Sequence, residues 1–444
     1  MHDKNVGAII LAAGKGTRMR SNLHKVLHPV GGRPMLHILL QTLQALHAKR
    51  SVVVVGAGRE QVESTLADVP TAVQDPQMGT GHAVMCAEDA MADFEGDTFI
   101  LYGDVPLIRE ETLAAMLLKK QETSVAGVVL GFRPDDAGAY GRLVLSKEGA
   151  LDRIVEFKDA NAAEKAITLC NSGIMCVDNQ TLFMLLKEVT NDNAAKEYYL
   201  TDIVEVAHKK GLKMTVVEST EDEVMGVNSR EELAKCEKIF QKRMRDKVMA
   251  EGATLIDPDS VFFSADTVIG KDVVIEPNVI FGANVTVGNN VRIYGFSHIE
   301  GTTIEDNAFI GPFARLRPGA HVGVGAKVGN FVEMKKSILG AGAKANHFTY
   351  LGDTIVGEKA NIGAGTITCN YDGFDKFPTK IGAGAFIGSN SALVAPVTIG
   401  AGAIVGAGSV VSGDVADNAL VLTRAEQVEK SGWASKFRAS KQKK

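Results

Sequence analysis

The chain has 444 residues, 45% of them apolar and 23% charged, with a formal net charge of −5. That length allows two or three domains, and that composition belongs to soluble globular proteins rather than disordered or fibrous ones. A negative balance without a basic field argues against a nucleic-acid partner, and no run reaches the roughly 18 apolar residues of a membrane span.

The elements in chain order give three textures. Residues 1–230 alternate apolar strands with amphipathic helices. The run VGAIILAA reads as a buried strand, and residues 35–49 as a helix with Met35, Ile38, Leu39, Leu43 and Leu46 on one face. SVVVVGA is a second strand, GTGHAVMCAEDAM a loop and then a helix, and TFILYGD a third strand. The pattern predicts an α/β domain, a mostly parallel Rossmann-like sheet with helices on both faces, whose ligands sit at the carboxyl ends of the strands. Residues 231–251 form a helical stripe through Leu233, Cys236, Phe240, Met244 and Val248. This segment reads either as a linker helix or as a surface helix lying on one domain.

From residue 252 the chain repeats. Ile381, Ile387, Leu393, Ile399, Val405 and Val411 stand six residues apart, with Gly382, Gly388, Gly400 and Gly406 following four of them. The same beat runs through Ile269, Ile275, Phe281, Val287, Ile293 and Ile299, and again through Ile310, Leu316, Val322 and Val328. A period of six fits neither helix nor flat strand. It fits a solenoid whose aliphatic residues stack inward from coil to coil, with small residues at tight corners. The beat slips between Val328 and Leu339. It breaks over TITCNYDGFDKFPTK before restarting at Ile381, which predicts a loop expelled from the solenoid. In the tail, Lys436, Arg438, Lys441, Lys443 and Lys444 read as a frayed, solvated end.

Five scattered cysteines (Cys86, Cys170, Cys176, Cys236 and Cys369) have no zinc spacing and form no disulfide pattern. The first apolar run is too short and glycine-broken for a secretory signal, so a cytoplasmic location is expected.

The glycine-rich stretch 11–19, LAAGKGTRM, lacks the Walker A pattern and offers only the first two glycines of a dinucleotide fingerprint. A plain strand-to-helix turn would explain Gly14 and Gly16. Arg18 and Lys25 favour a phosphate cradle, in which backbone N–H groups bind oxygens and the two cations neutralise charge.

At this point the chain resembles the sugar-nucleotide pyrophosphorylases, through LAAGKGTRM…KVLH, QMGTGHA, LYGDVPL, YGRLV, IVEFKDA, NSGIM, EYYLTD and GVNSR, in that order. With the hexapeptide solenoid, nearly the whole chain is similar to the bacterial bifunctional N-acetylglucosamine-1-phosphate uridylyltransferases/glucosamine-1-phosphate acetyltransferases. The resemblance implies a uridylyltransferase domain (1–230), a linker helix (231–251) and a left-handed parallel β-helix with acetyltransferase activity and a tail (252–444). It implies UTP, sugar phosphates and acetyl-CoA as small-molecule substrates, Mg²⁺ as cofactor, and a homotrimer with acetyl sites formed between subunits. The product would feed bacterial cell-wall and lipopolysaccharide precursors.

By the same resemblance, Asp104 and Asn228 hold Mg²⁺, an ion that takes few protein oxygens beside phosphates and water. The nucleotide lies on the backbone of Leu11, Ala12, Ala13 and Gly14, with Lys25, Gln74, Gly79, Thr80 and Tyr102. The Gln74 amide would pair with the uracil edge as donor and acceptor at once. Gly141, Glu156, Asn171 and Asn228, joined by Tyr199, hold the sugar. In the solenoid, His347 is the base of acetyl transfer, a role suited to imidazole. Arg317, Lys335, Tyr350, Asn361 and Lys376 bind the sugar phosphate, and Ala364, Asn370, Tyr371, Ser389, Ala407 and Arg424 bind coenzyme A. The tail, with Trp433, closes over a neighbouring subunit's site. The chain departs from the family at His24, at Phe157 and at residues 194–196. Two rival readings remain: a solenoid that is only a scaffold, and a non-catalytic binding subunit built on the same folds.

Overall fold

The computed structural model describes residues 5–147, 149–193 and 195–442. Ala194, Lys443 and Lys444, named above, lie outside them. The chain divides into two compact units, residues 1–243 and 244–444.

In the first unit seven strands run in the order Met214–Ser219, Gly127–Phe132, Cys170–Asp178, Gly96–Tyr102, Asn5–Leu11, Arg50–Val55, Thr71–Val73. Every neighbouring pair is parallel except those made by Cys170–Asp178, which is antiparallel to both neighbours. Alternation along the strands sends side chains to two cores. Ala8, Ile10, Val53, Val55, Phe99 and Leu101 face one core, while Ile9, Leu11, Val52, Val54 and Ile100 face the other. Helices Met35–Ala45 and Glu110–Thr123 cover the first face; Thr80–Met85, Asn179–Leu186 and Asp202–Lys209 cover the second.

The helix expected over 35–49 stops at Ala45. His47 adopts a left-handed φ of 59°, and the Ala48 N–H turns back to the Leu43 carbonyl, closing the helix end. Leu36 rather than Ile38 completes the buried stripe. The segment after Gly79 forms two short helices, Thr80–Met85 and Glu88–Met91.

Helix Arg230–Ala250 is continuous, and the division between units falls inside it. Before the division, Glu237 accepts the Gly31 N–H at 2.7 Å and Arg243 donates to the Leu107 carbonyl at 2.6 Å. After it, Arg245 bonds Asp259 at 2.9 Å, and Met244 and Val248 join the core of the second unit.

The second unit is a left-handed β-helix of three parallel sheets. Ile275 pairs with Ile293, Ile293 with Ile310 and Ile310 with Val328, and each points into a continuous aliphatic core. The slip after Val328 inserts no loop: Met334 and Leu339 both point inward, one residue closer than the beat requires. The expelled loop is shorter than expected. Ile367–Cys369 is a strand in register with Ala392–Val394, and Thr366 and Thr368 are buried, so the chain leaves the wall only after Asn370. Tyr371 and Lys376 then bridge across the loop, with Phe374 at its exposed tip.

The corners are not made of small residues alone. Phe296, Phe313, Phe331 and Phe348 all take positive φ at one corner and stack ring on ring, 5.1–5.2 Å apart. In the tail, residues Trp433–Lys441 form an exposed helix rather than a frayed end. Among the described residues no helix is long and apolar enough to cross a membrane, and all five cysteines are free.

Candidate active sites

The glycine loop leaves the carboxyl end of the interior strand Asn5–Leu11, as the topology requires. Gly16 has φ 62°, and a Cβ there would lie 2.6 Å from the Lys25 Cβ, so glycine lets the following segment fold back onto the loop. Lys25 opens a short 3₁₀ turn, Lys25–Leu27. Its ammonium bonds the Asp104 carboxylate and lies 3.1 Å from Asn228 Oδ1. Asp104 follows strand Gly96–Tyr102, and its carbonyl accepts the Val227 N–H at 2.9 Å. Asn228 is fixed by the first turn of the long helix, where Glu232 Oε2 accepts its N–H at 2.6 Å. Two side-chain oxygens thus converge on one cation. Lys25 and Asp104 are 13% and 15% exposed, so the pair is largely dry.

Lys25 and Asp104 border a cavity of about 360 Å³, lined also by Leu11, Ala12, Ala13, Gly14, Gln74, Gln77, Gly79, Thr80, Tyr102 and Glu197; Asn228 is not among its lining residues. Gly79 has φ 99°, and a Cβ there would lie 2.6 Å from the Tyr198 carbonyl oxygen, so only glycine fits. The Gln74 amide nitrogen donates to the Gly79 carbonyl at 2.8 Å and lies 3.3 Å from His82 Nδ1. Both donors are engaged, which corrects the expectation that this amide offers a donor and an acceptor together: the oxygen alone is open.

A second cavity of about 380 Å³ shares Thr80, Tyr102 and Glu197 with the first and adds Glu156, Phe157, Asn171 and Tyr199. Burial, and then Asp159, push the Glu156 carboxyl up. Gly141 is buried and does not line this cavity, but its carbonyl accepts the N–H of Asn171, which does, at 2.9 Å. Buried Arg142 holds segment 137–140 through the carbonyls of Ala137, Gly138 and Tyr140, and its guanidinium lies 5.4 Å from the Phe157 ring centre. Phe157 is therefore a packing platform, with the Lys165 ammonium also 5.0 Å from its ring centre. Arg18 is not brought in. It is exposed on the turn Thr17–Met19 and makes no hydrogen bond among the described residues. His24 is buried with neither ring nitrogen bonded, and burial, followed by Lys25 and His28, lowers its pKa.

In the β-helix, His347 ends strand Lys344–His347, and its Nδ1 lies 2.7 Å from Asn330 Oδ1 on the preceding coil. An amide oxygen only accepts, so Nδ1 carries the proton of this bond, and in the neutral ring the lone pair is on Nε2; the residue is exposed. The Gly365 N–H reaches the His347 carbonyl at 3.4 Å, that of Asn390 the Ala364 carbonyl at 2.8 Å, and that of Gly408 the Ser389 carbonyl at 2.8 Å. His347, Ala364, Ser389 and Ala407 thus climb one corner, with Arg424 beside Gly406 and Gly408.

Arg317, Lys335 and Lys376 gather near the next corner. Lys376 first, then Arg317, lower the Lys335 pKa, the mark of crowded like charge. Glu333 offsets part of it, 2.7 Å from Arg317. Asn370 is buried in the wall below, its amide nitrogen 2.6 Å from Asp353 Oδ2, rather than carried on the expelled loop. Tyr350 lies one strand along from His347, and Asn361 pairs with Lys344 on the neighbouring coil. Tyr371 is exposed and donates to the Gly373 carbonyl.

Residues 8–171 match the family described as MobA-like NTP transferase domain, and residues 266–301 and 378–413 match the bacterial transferase hexapeptide (six repeats). Proteins named Bifunctional protein GlmU from Rhizorhabdus wittichii, Maricaulis maris and Zymomonas mobilis are 61%, 57% and 54% identical to it. They cover 99%, 98% and 99% of this chain and 98%, 96% and 99% of their own. The chain belongs to the GlmU family of bifunctional proteins. A solved UDP-glucose pyrophosphorylase complexed with UDP-glucose reaches a TM-score of only 0.45 at 16% identity, covering 54% of this chain and 99% of its own, and adds nothing to that assignment.

Within this GlmU-family chain, sequence reasoning missed Asn330, Glu333, Gln77, His82 and Glu197. His82 stands inside QMGTGHA, a motif read for its glycines and threonine. Asn330 has no signal until coil register places it beside His347.

Proposed function

We propose that the first unit transfers uridylyl from UTP to N-acetylglucosamine 1-phosphate, releasing pyrophosphate. The observation that carries this reading is the convergence of Asp104 and Asn228 on the Lys25 ammonium at the mouth of the nucleotide cavity. Oxygens that hold an ammonium also suit Mg²⁺, a hard ion needing few protein ligands. Those two residues would hold it, and when bound it would supply charge neutralisation at the phosphates. Backbone N–H groups of the glycine loop bind phosphate oxygens, and Lys25 neutralises the α-phosphoryl as a sugar-phosphate oxygen attacks in line. Glu156 and Asn171 hold sugar hydroxyls. Arg18 would have to move from its exposed position to take part.

The second unit acts first in the reaction order, acetylating glucosamine 1-phosphate to supply that acceptor. The amine attacks the thioester carbonyl of acetyl-CoA, His347 Nε2 takes the amine proton, and the coenzyme A thiolate leaves. Arg317, Lys335 and Lys376, with Tyr350 and Asn361, hold the phosphate, and the crowding of three cations favours a dianion between them. Ala364, Asn370, Tyr371, Ser389, Ala407 and Arg424 take coenzyme A. The histidine corner and the cation corner are distinct, which favours acetyl sites shared between copies in a cytoplasmic homotrimer. Domain limits at 230 and 252 remain part of this reading.

The test is mass spectrometry of one mixture: full-length protein, Mg²⁺, UTP, acetyl-CoA and glucosamine 1-phosphate, beside a tube lacking acetyl-CoA. UDP-N-acetylglucosamine is expected in the first tube alone. If product forms only when N-acetylglucosamine 1-phosphate is supplied, the solenoid is a scaffold. His347→Ala should abolish acetylation and spare uridylyl transfer.

A further inference from the structure

We propose that His82 is a positioning residue that sets nucleobase selectivity, by holding the Gln74 amide with its oxygen toward the cavity. This rests on the uridylyl-transfer reading and deepens it. Gln74 is 5% exposed. Its amide nitrogen lies 2.8 Å from the Gly79 carbonyl oxygen. A carbonyl oxygen only accepts, so the group facing it is the NH₂, whichever way the amide is drawn.

The second N–H of that NH₂ faces His82 Nδ1 at 3.3 Å. Nδ1 must therefore present a lone pair, which leaves the ring proton on Nε2. Nε2 lies 3.9 Å from the Cys86 sulfur, a soft acceptor one helical turn on. The His82 ring also lies against Tyr198, with centroids 6.3 Å apart, so its orientation is held on two sides.

Gly79 alone would leave the amide free to swivel about a single bond. His82 supplies the second fixed point, and both donors are then used. The Gln74 oxygen accepts no hydrogen bond among the described residues, is not one of the buried, bond-less side-chain atoms, and belongs to a residue lining the nucleotide cavity. A base seated there must bring an N–H. Uracil does so at N3. Cytosine brings a lone pair at the same position, against a carbonyl oxygen that cannot turn away. A site built to receive a hydrogen bond rejects the partner that lacks it.

The experiment measures kcat/KM for UTP and for CTP, with N-acetylglucosamine 1-phosphate and Mg²⁺, in the full-length wild type, His82→Leu and His82→Asn. His82→Leu should reduce the UTP-over-CTP ratio by roughly five- to tenfold, the worth of a lost neutral hydrogen bond. The change should fall on KM, with kcat nearly constant. His82→Asn, whose amide oxygen can accept near the Nδ1 position, should restore most of the ratio. If His82→Leu does not fold, His82→Phe keeps the ring volume without the acceptor and should give the same loss. An unchanged ratio in Leu or Phe, or Asn behaving like Leu, overturns the proposal while uridylyl transfer stands. A wild type inactive with UTP sinks the uridylyl reading, and this proposal with it.

Discussion

Gln61 lines neither cavity, yet replacing it with Leu should impair uridylyl transfer. It sits on the short helix Arg59–Glu63. Its Oε1 accepts the His24 N–H at 2.9 Å, and its Nε2 donates to the Asn22 carbonyl at 2.9 Å. These bonds clamp the segment that leads directly into Lys25, the residue that meets Asp104 and Asn228. A neutral hydrogen bond contributes about 1 kcal/mol net, so the two together favour the observed path by about 2 kcal/mol. At about 1.4 kcal/mol per factor of ten, Gln61→Leu should weaken that preference by up to roughly thirtyfold. Gln61 is exposed, which trims the figure, because water replaces part of what is lost. The expected fall in kcat/KM is therefore about three- to thirtyfold. Pyrophosphate release reports uridylyl transfer, and coenzyme A release from the same preparation reports acetyl transfer, which should not change. Gln61→Glu keeps the acceptor for His24 but loses the donor to Asn22, and should fall between. An unaltered uridylyl rate in Gln61→Leu, or an equal loss of both reactions, would refute the reasoning.

Asn330→Ala removes the acceptor that fixes the His347 ring; acetyl transfer should lose roughly five- to tenfold in kcat, with little change in the KM for acetyl-CoA, in a steady-state assay. Arg142→Lys should raise the KM for the sugar phosphate more than that for UTP, since one ammonium cannot span the three carbonyls that the planar fork reaches around segment 137–140. Asp202, pushed up to about 6 chiefly by burial and then by Glu205 and Glu156, should make stability depend on pH. Its folded pKa lies above the unfolded value of about 3.9, so the native state gains below that value and loses as pH rises through 6. Asp202→Asn should therefore stabilise the fold at pH 8 by about 1 kcal/mol after solvent screening, raising the melting temperature there, and the difference should vanish below about pH 4 in thermal melts.

Much of the fold was legible because burial repeats at a fixed period. The solenoid announced itself through Ile275, Ile293 and Ile310, each stacked on the next. Where polar residues turn inward the signal failed. Thr366 and Thr368 look like loop in a hydrophobic count, yet Thr368 is buried, its hydroxyl accepting the Gly352 N–H at 2.9 Å and donating to the Tyr350 carbonyl at 3.2 Å. A threonine so satisfied costs the wall little, and the strand continues through it. The phenylalanine corners failed for a different reason. Positive φ is unfavourable for a bulky residue taken alone. Four such residues on successive coils recover part of that cost by stacking, and a reading of single positions does not see the stack.

The candidate sites divide the same way. Lys25, Asp104 and Asn228 come from three distant parts of the chain, and each is an ordinary turn residue by itself. They meet because a parallel sheet delivers every strand's following loop to one edge, so the order of motifs carried information that their spacing did not. Asn330 and His347 meet by the opposite logic: a solenoid brings together residues one coil apart, and the coil length must be known before the pair can be seen. His82 needed a third kind of knowledge. Its role follows from which atom of Gln74 faces a carbonyl, and only the hydrogen-bond inventory of the folded chain, rather than any pattern in the residue names, assigns that direction.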